Sequence, residues 1–314
     1  MDNQNFITVR VEEKGLRLDK FISQNFLDIS YSTIQKKIRL GMFRVNNLKK
    51  KPNYKVNYSD KIHYNKKLNL KIEKKTQAII PEKIKILLKK SVIYEDKYIL
   101  ILNKPYGISV QGGSKISLSI DDLLPFLSTT DTKLRLTHRI DKNTTGVLVL
   151  AKSKEMAKKI TFLFKENKII KTYLTVVIGS PKKSKGCINA PLSKESIRGM
   201  ERMKVKADSD KEAITYYKKI DYKKGLSLLE VSPKTGRTHQ IRAHLLYDKH
   251  PVLGDDKYNL YDTNQNKLFP SLERKMHLHA KNITFKLNDK TYSFNAELPN
   301  HFVRTLKFLN FKIS

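Results

Sequence analysis

With 314 residues, 39% of them hydrophobic, the chain is long enough to bury an ordinary core and to divide into a small and a large domain. Its 63 Lys and Arg against 30 Asp and Glu leave a net charge of +33, a field that holds polyanions by releasing their counterions, so nucleic acid is the first partner to consider. No run of about 18 apolar residues is present, the opening "MDNQNFITVR" lacks a basic-then-apolar leader, and the single Cys187 excludes an internal disulfide, which together read as a cytoplasmic protein whose one thiol is packing.

A composition rich in Lys, Asn and Ile also reflects codon bias, so part of the charge carries no information about binding. The scarcer arginines say more, because a planar guanidinium is used where two-pronged contact matters. Arg139, Arg237 and Arg242 all fall in stretches that carry chemistry.

In chain order, Leu18, Phe21 and Ile22, then Ile34 and Ile38, have helical spacing. Ser30 or Ser32 can cap the second helix, and Gly41 ends it. Strands at 43–45 and near 61–63 close a small α+β unit whose second helix exposes Lys36, Lys37 and Arg39. Residues 66–90 are lysine-rich, contain Pro81 and have little periodicity, which predicts a linker. Strands are expected at 92–95 and 98–102, and "GVLVLAKS" as a buried strand. Ser153 then caps a helix that puts Met156, Ala157, Ile160 and Phe164 on one face. "IIKTYLTVVIG" is a strand, and "LSLLEVSPKTGRTHQIRAHLL" a strand, a turn and a helix capped by Thr238.

Asp141, in "HRIDKNTTGVLVLA", stands at the edge of that buried strand, where a rigid element holds a side chain still and a loop leaves it open. On this stretch alone a catalytic carboxylate and a turn-capping one are equally good readings. Arg237, just ahead of a helix, could help hold an anion. Tyr173 shares a strand face with Lys171 and Thr175; such a tyrosine is usually packing, but it could stack on a base. A metal reading is set aside. His239 and His244 are five apart, where four would suit a helix, and His277 and His279 lack an acidic or thiol partner nearby in sequence.

Together these stretches resemble the RluA/RluC type of pseudouridine synthase with an N-terminal S4 RNA-binding domain, over nearly the whole chain. "NKPYGISVQGGS" resembles its first motif, "HRIDKNTTG" its catalytic motif, "KTYL" its tyrosine motif, and "TGRTHQIRAHL" with "HPVLGDDKY" its third region. "QGGS" and "GMERMKV" lie nearer the RluC branch. Ile140 replaces the usual leucine and Thr145 a common serine, swaps that keep the local chemistry.

The resemblance implies an α+β fold: a mixed, largely antiparallel sheet flanked by helices and loops in residues 91–314, an S4 domain in 1–65, and the linker between. It implies that Asp141 is the nucleophile that assists cleavage of the uridine N-glycosidic bond, before the base turns and rejoins the sugar through carbon. Tyr173 would stack on the extruded base and handle a proton. Arg237 would pair with Asp141 and keep it ionised. Arg139 would fill the vacated space or bind backbone, and Lys36, Lys37 and Arg39 would lie against phosphates. Because atoms move only within one nucleotide, no metal or cofactor is expected. The implied partner is 23S ribosomal RNA; nothing in the motifs asks for a second subunit, so a monomer is expected. The rivals are a noncatalytic RNA-binding or ribosome-assembly protein and a glycosylase that releases the base.

Overall fold

The helical spacing near the N-terminus is realised as α1 (Leu18–Asn25) and α2 (Tyr31–Arg39), which bury Leu18, Phe21, Ile22, Ile34 and Ile38. They cover a three-stranded antiparallel sheet in the order β1-β3-β2, formed by β1 (Gln4–Thr8), β2 (Phe43–Val45) and β3 (Lys61–Asn65). The computed structural model describes residues 4–26, 29, 31–65, 80–112, 118–127, 133–197, 200–258 and 272–312. These fall into two units, Met1–Ile80 with Gly112–Ser117, and Pro81–Gln111 with Leu118–Ser314.

In the first unit Gly41 adopts φ +77° and closes α2, its amide reaching the Ile38 carbonyl. Ser32 lies inside α2 rather than capping it, and Ser30 is outside the described residues. Asp19 is fully buried between the helices, bound by Arg17 Nη2 at 2.7 Å and Gln35 Nε2 at 3.0 Å. Burial alone would raise its pKa; the hydrogen bonds from Arg17, Gln35 and Tyr31 outweigh it and hold the carboxyl below its ordinary value.

The second unit opens with a correction. Residues 82–90 are not linker but helix α3 (Glu82–Lys90), which buries Leu88 and packs against α4 (Ile120–Leu127). Lys83, Lys89 and Lys90 face solvent and mask its short apolar stripe. Residues 66–79 lie outside the described residues.

The remaining strands are β4 (Val92–Glu95), β5 (Ile99–Lys104), β6 (Arg135–Leu136), β7 (Thr145–Ala151), β8 (Ile170–Ile178), β9 (Lys185–Asn189), β10 (Leu192–Ile197), β11 (Met200–Val205), β12 (Ile214–Lys223), β13 (Leu226–Pro233), β14 (Leu278–Leu287) and β15 (Lys290–Asn295). The large sheet runs β4-β5-β7-β14-β8-β13-β12-β9, with β6 against β7 and β15 against β14; β10 and β11 form a separate antiparallel ribbon. Every neighbouring pair in the large sheet is antiparallel except β7 and β14.

At that parallel seam His279 meets Thr145 and Ala280 meets Gly146. Gly146 has φ +106°, and a Cβ there would stand 2.2 Å from the Ala280 carbonyl oxygen, so only glycine lets the two strands approach. β5 and β7 are covered on both faces, which is why both read as continuous apolar runs. Helix α5 (Lys154–Lys165), capped by Ser153 Oγ accepting the Met156 amide at 3.0 Å, packs Met156 and Ile160 with Val147, Val149 and Ile283. Helix α7 (Asn300–Phe308) sets Phe302 and Leu306 on Leu174, Val176 and Leu228. Helix α6 (Gln240–Tyr247), between the ribbon and strands β12 and β13, is buried from Gln240 through Leu245. Cys187 is exposed on the edge strand β9, correcting the expectation of a packed thiol.

Candidate active site

The loop that carries Asp141 is pinned at both ends. On one side the Thr137 hydroxyl donates to the Val149 carbonyl at 2.7 Å, and the Val149 amide donates to His138 Nε2 at 2.9 Å. The His138 ring stacks on Phe164 with centroids 4.3 Å apart, and burial pushes its pKa down to about 3, so it stays neutral and accepts. On the other side the Asp141 carbonyl accepts the Thr144 amide at 3.1 Å, closing the turn into β7.

The first motif braces the same loop from below. Lys104 is fully buried, and its Nζ donates to the carbonyls of Pro105 (2.8 Å), Ile108 (2.9 Å) and Lys142 (3.0 Å). Lys142 follows Asp141 directly, so one lysine ties the two segments together. Burial pushes the Lys104 pKa down to about 7, with the charge of Asp141 pulling it back up.

Arg242, in the first turn of α6, meets the carboxylate. Its Nη1 donates to Asp141 Oδ2 at 2.9 Å, while Nε and Nη2 grip Asp255 Oδ2 and Oδ1 at 2.6 and 2.7 Å. Asp255 is itself buried, and its Oδ1 also accepts the amides of Lys257 and Tyr258 at 3.0 and 3.1 Å. The Tyr258 ring lies under the guanidinium, 4.8 Å from centroid to Cζ. Burial disfavours the Arg242 charge, but Asp255 and then Asp141 outweigh it and hold its pKa above the ordinary value. The Asp141 side chain keeps 23% of its surface accessible, against 6% for Arg242, so the carboxylate is anchored from behind and open in front.

Arg242 therefore takes the place expected of Arg237. Arg237 is exposed in the turn after β13, its Nε donating to the Glu212 carbonyl at 3.0 Å and its amide to Gln240 Oε1 at 3.0 Å. Thr238 does not cap the helix either; His239 stands at that position with φ +51°. Sequence reasoning could not separate the two arginines because α6 is buried on nearly every side and has no polar face to orient it. The available signal was the acidic pair in "HPVLGDDKY", since a buried Asp255 requires a buried cation.

Tyr173, on β8, is partly exposed, and burial followed by the charge of Asp141 raises its pKa well above the usual phenol value. Arg139 is exposed two residues before Asp141. Lys36 and Arg39 are exposed and Lys37 half-buried in the last turn of α2, in the first unit. The histidines weighed as metal ligands have other partners: His244 bonds Thr215 and Ala190, His277 bonds Thr305, and His279 bonds Thr145. His239 lies at the site itself, with Nε2 3.9 Å from Asp141 Oδ1.

A carboxylate fixed at a strand edge, backed by a guanidinium and open to solvent, suits an enzyme of nucleophilic or acid–base type, and the excess of basic residues suits a polyanionic substrate. The sequence model of the RNA pseudouridylate synthase family matches residues 98–247, which contain Asp141, Tyr173 and Arg242. The chain is 35% identical over 297 residues to ribosomal large subunit pseudouridine synthase C of Rickettsia typhi, covering 92% of this chain and 96% of the relative. It is 33% identical over 308 residues to the protein of the same name from Vibrio parahaemolyticus, covering 96% and 95%. Among solved structures, human RNA pseudouridylate synthase domain containing 4 matches with a TM-score of 0.62 and 29% identity, covering 74% of this chain and 97% of that one. The chain belongs to the RNA pseudouridylate synthase family and is an isomerase that converts uridine to pseudouridine.

Proposed function

We propose that this protein isomerises uridines of large-subunit ribosomal RNA, specifically 23S RNA, with Asp141 as the nucleophile. The observation that carries the assignment is the Asp141–Arg242–Asp255 chain, which holds the carboxylate against a buried guanidinium and aims it while leaving its front accessible. The rRNA substrate rests on the names of the relatives, which span nearly this whole chain.

A stacked uridine hides its glycosidic bond, so the nucleotide must leave its helix or loop, at a cost of a few kcal/mol. Arg139, exposed beside Asp141, enters the vacated space or holds the backbone. Tyr173 receives the extruded base by stacking, a contact worth about 1–3 kcal/mol. Its raised pKa keeps the phenol protonated, so it holds a proton beside the base rather than removing one as a phenolate. Asp141 assists departure of N1 from C1′, the base turns, C5 bonds to C1′ of the same sugar, and the proton on C5 is lost while N1 gains one. Arg237, exposed ahead of α6, serves the RNA backbone. The first unit acts as an S4-like module whose Lys36, Lys37 and Arg39 meet phosphates and orient the RNA. The protein works as a monomer in the cytoplasm.

The test is Asp141→Asn, which keeps the shape of the side chain and removes its charge. Pseudouridine formation in 23S RNA should vanish while RNA affinity stays within about threefold, since no phosphate contact is lost. Substantial turnover by this variant would remove Asp141 from the mechanism, and free uracil from the wild type would favour a glycosylase.

A further inference from the structure

His239 lies at the site, and the mechanism above does not use it. His239 sits in a left-handed backbone conformation with φ +51°, a strained choice for a residue with a Cβ and one kept where the surroundings fix it. Its Nδ1 is 2.9 Å from the Tyr258 hydroxyl, and its Nε2 points at Asp141 Oδ1 from 3.9 Å. The Tyr258 oxygen accepts the Met203 amide of β11 at 2.7 Å.

These partners decide where the protons lie. Burial pushes the Tyr258 phenol up to about 12, so it keeps its proton over the working range. Met203 offers that oxygen a donor, and so the hydroxyl hydrogen goes to the His239 nitrogen beside it. Nδ1 is then the acceptor. Burial, opposed by Asp141, keeps the imidazole pKa below its ordinary value, and the neutral ring therefore carries its hydrogen on Nε2, facing the carboxylate.

We propose that His239 is a positioning residue for Asp141: its Nε2–H donates to Oδ1 as Arg242 donates to Oδ2, and the β11 backbone sets its tautomer through Tyr258. The 3.9 Å separation exceeds a hydrogen bond, and contacts of this kind tighten when substrate closes a site. With both oxygens engaged, the carboxylate has one orientation toward the flipped nucleotide. The proposal rests on the assignment of Asp141 as nucleophile.

It is tested on the full chain with 23S RNA, comparing His239→Ala, His239→Gln and His239→Asn with Asp141→Asn. The glutamine amide nitrogen can occupy the place of Nε2, whereas that of asparagine falls near Nδ1. The alanine and asparagine variants should lose about tenfold or more in kcat, as expected for a hydrogen bond to a charged group, with KM within about twofold. Glutamine should restore most of the loss. Unchanged kcat in the alanine variant, a loss confined to KM, or glutamine no better than asparagine overturns the role. The wild type, labelled with 15N at histidine, gives a readout that needs no variant to fold: Nδ1 should resonate as unprotonated and Nε2 as protonated, and the opposite tautomer overturns the proposal. An active Asp141→Asn protein would instead remove the nucleophile assignment, and this role with it.

Discussion

Arg242 serves two carboxylates of different kinds. Asp255 is a buried anchor, held by two guanidinium nitrogens and two amides, while Asp141 has a single bond to Nη1 and an accessible front. Replacing Arg242 by Ala strands Asp255 in the interior and should cost about 3–5 kcal/mol of stability, read by urea unfolding. Arg242→Lys is the more informative variant, because an ammonium cannot reproduce the planar fork that reaches both partners. It should fold and bind RNA while kcat falls about a hundredfold or more. Near-normal turnover by the lysine variant would mean that charge alone suffices and that the geometry of the fork is incidental. Arg237→Ala, which loses a carbonyl contact at the surface, should leave the fold intact and act mainly on RNA affinity.

Among the elements, the junction of β7 with β14 positions the site most directly. Asp141 leaves its loop a few residues before Gly146, and Gly146 is where two antiparallel halves of the sheet join through a parallel contact. Gly146→Ala places a methyl group against the Ala280 backbone and demands a φ that alanine avoids, so the strands must separate. The expected loss is about 3 kcal/mol or more, detectable as a lowered urea midpoint with an accompanying loss of turnover. An alanine variant as stable as the wild type would show that the junction can open without harm. In the first unit, β1 escapes sequence reading because its side chains alternate between half-buried and exposed positions and its one large ring, Phe6, is 49% exposed. The linker expected over 66–90 fails at its end for the opposite reason, since the lysines of α3 outnumber the few apolar residues that dock it.

For the whole molecule, two consequences follow from charge. The fully buried His277 and His279 have pKa values pushed down by burial, to about 3 and about 4, while in the unfolded chain they titrate near 6.5. Their contribution to stability is complete above about 6.5 and is lost as pH falls toward 4, because only the unfolded chain takes up the protons. Urea unfolding at stepped pH should show stability falling across that window by about 1.4 kcal/mol per unit per histidine at most. A variant with both replaced by glutamine should have a shallower slope; an unchanged slope would assign the acid sensitivity elsewhere. The second consequence concerns RNA. Replacing Lys36, Lys37 and Arg39 together by Ala should weaken 23S RNA binding and reduce the slope of log affinity against log salt by about 2–3, with kcat at saturating RNA unchanged. A full salt slope in this variant would place the phosphate contacts elsewhere.

The sequence by itself determined the α+β class, the continuous apolar strands β5 and β7, the Ser153 cap and the placing of Asp141 at a strand edge, because each depends on residues close along the chain. It also carried the family, through motifs whose order and spacing survive without coordinates. Which arginine meets Asp141 was decided only by the tertiary structure: Arg242 and Asp141 are 101 positions apart, and a helix buried on nearly all sides offers no periodicity to say which way its residues point. The relay from Met203 through Tyr258 to His239 was equally out of reach, since it joins a ribbon, a loop and a helix start that touch only once the sheet has formed. Local spacing fixes which face of a strand or helix a side chain occupies, whereas pairing between charges depends on how separate elements pack.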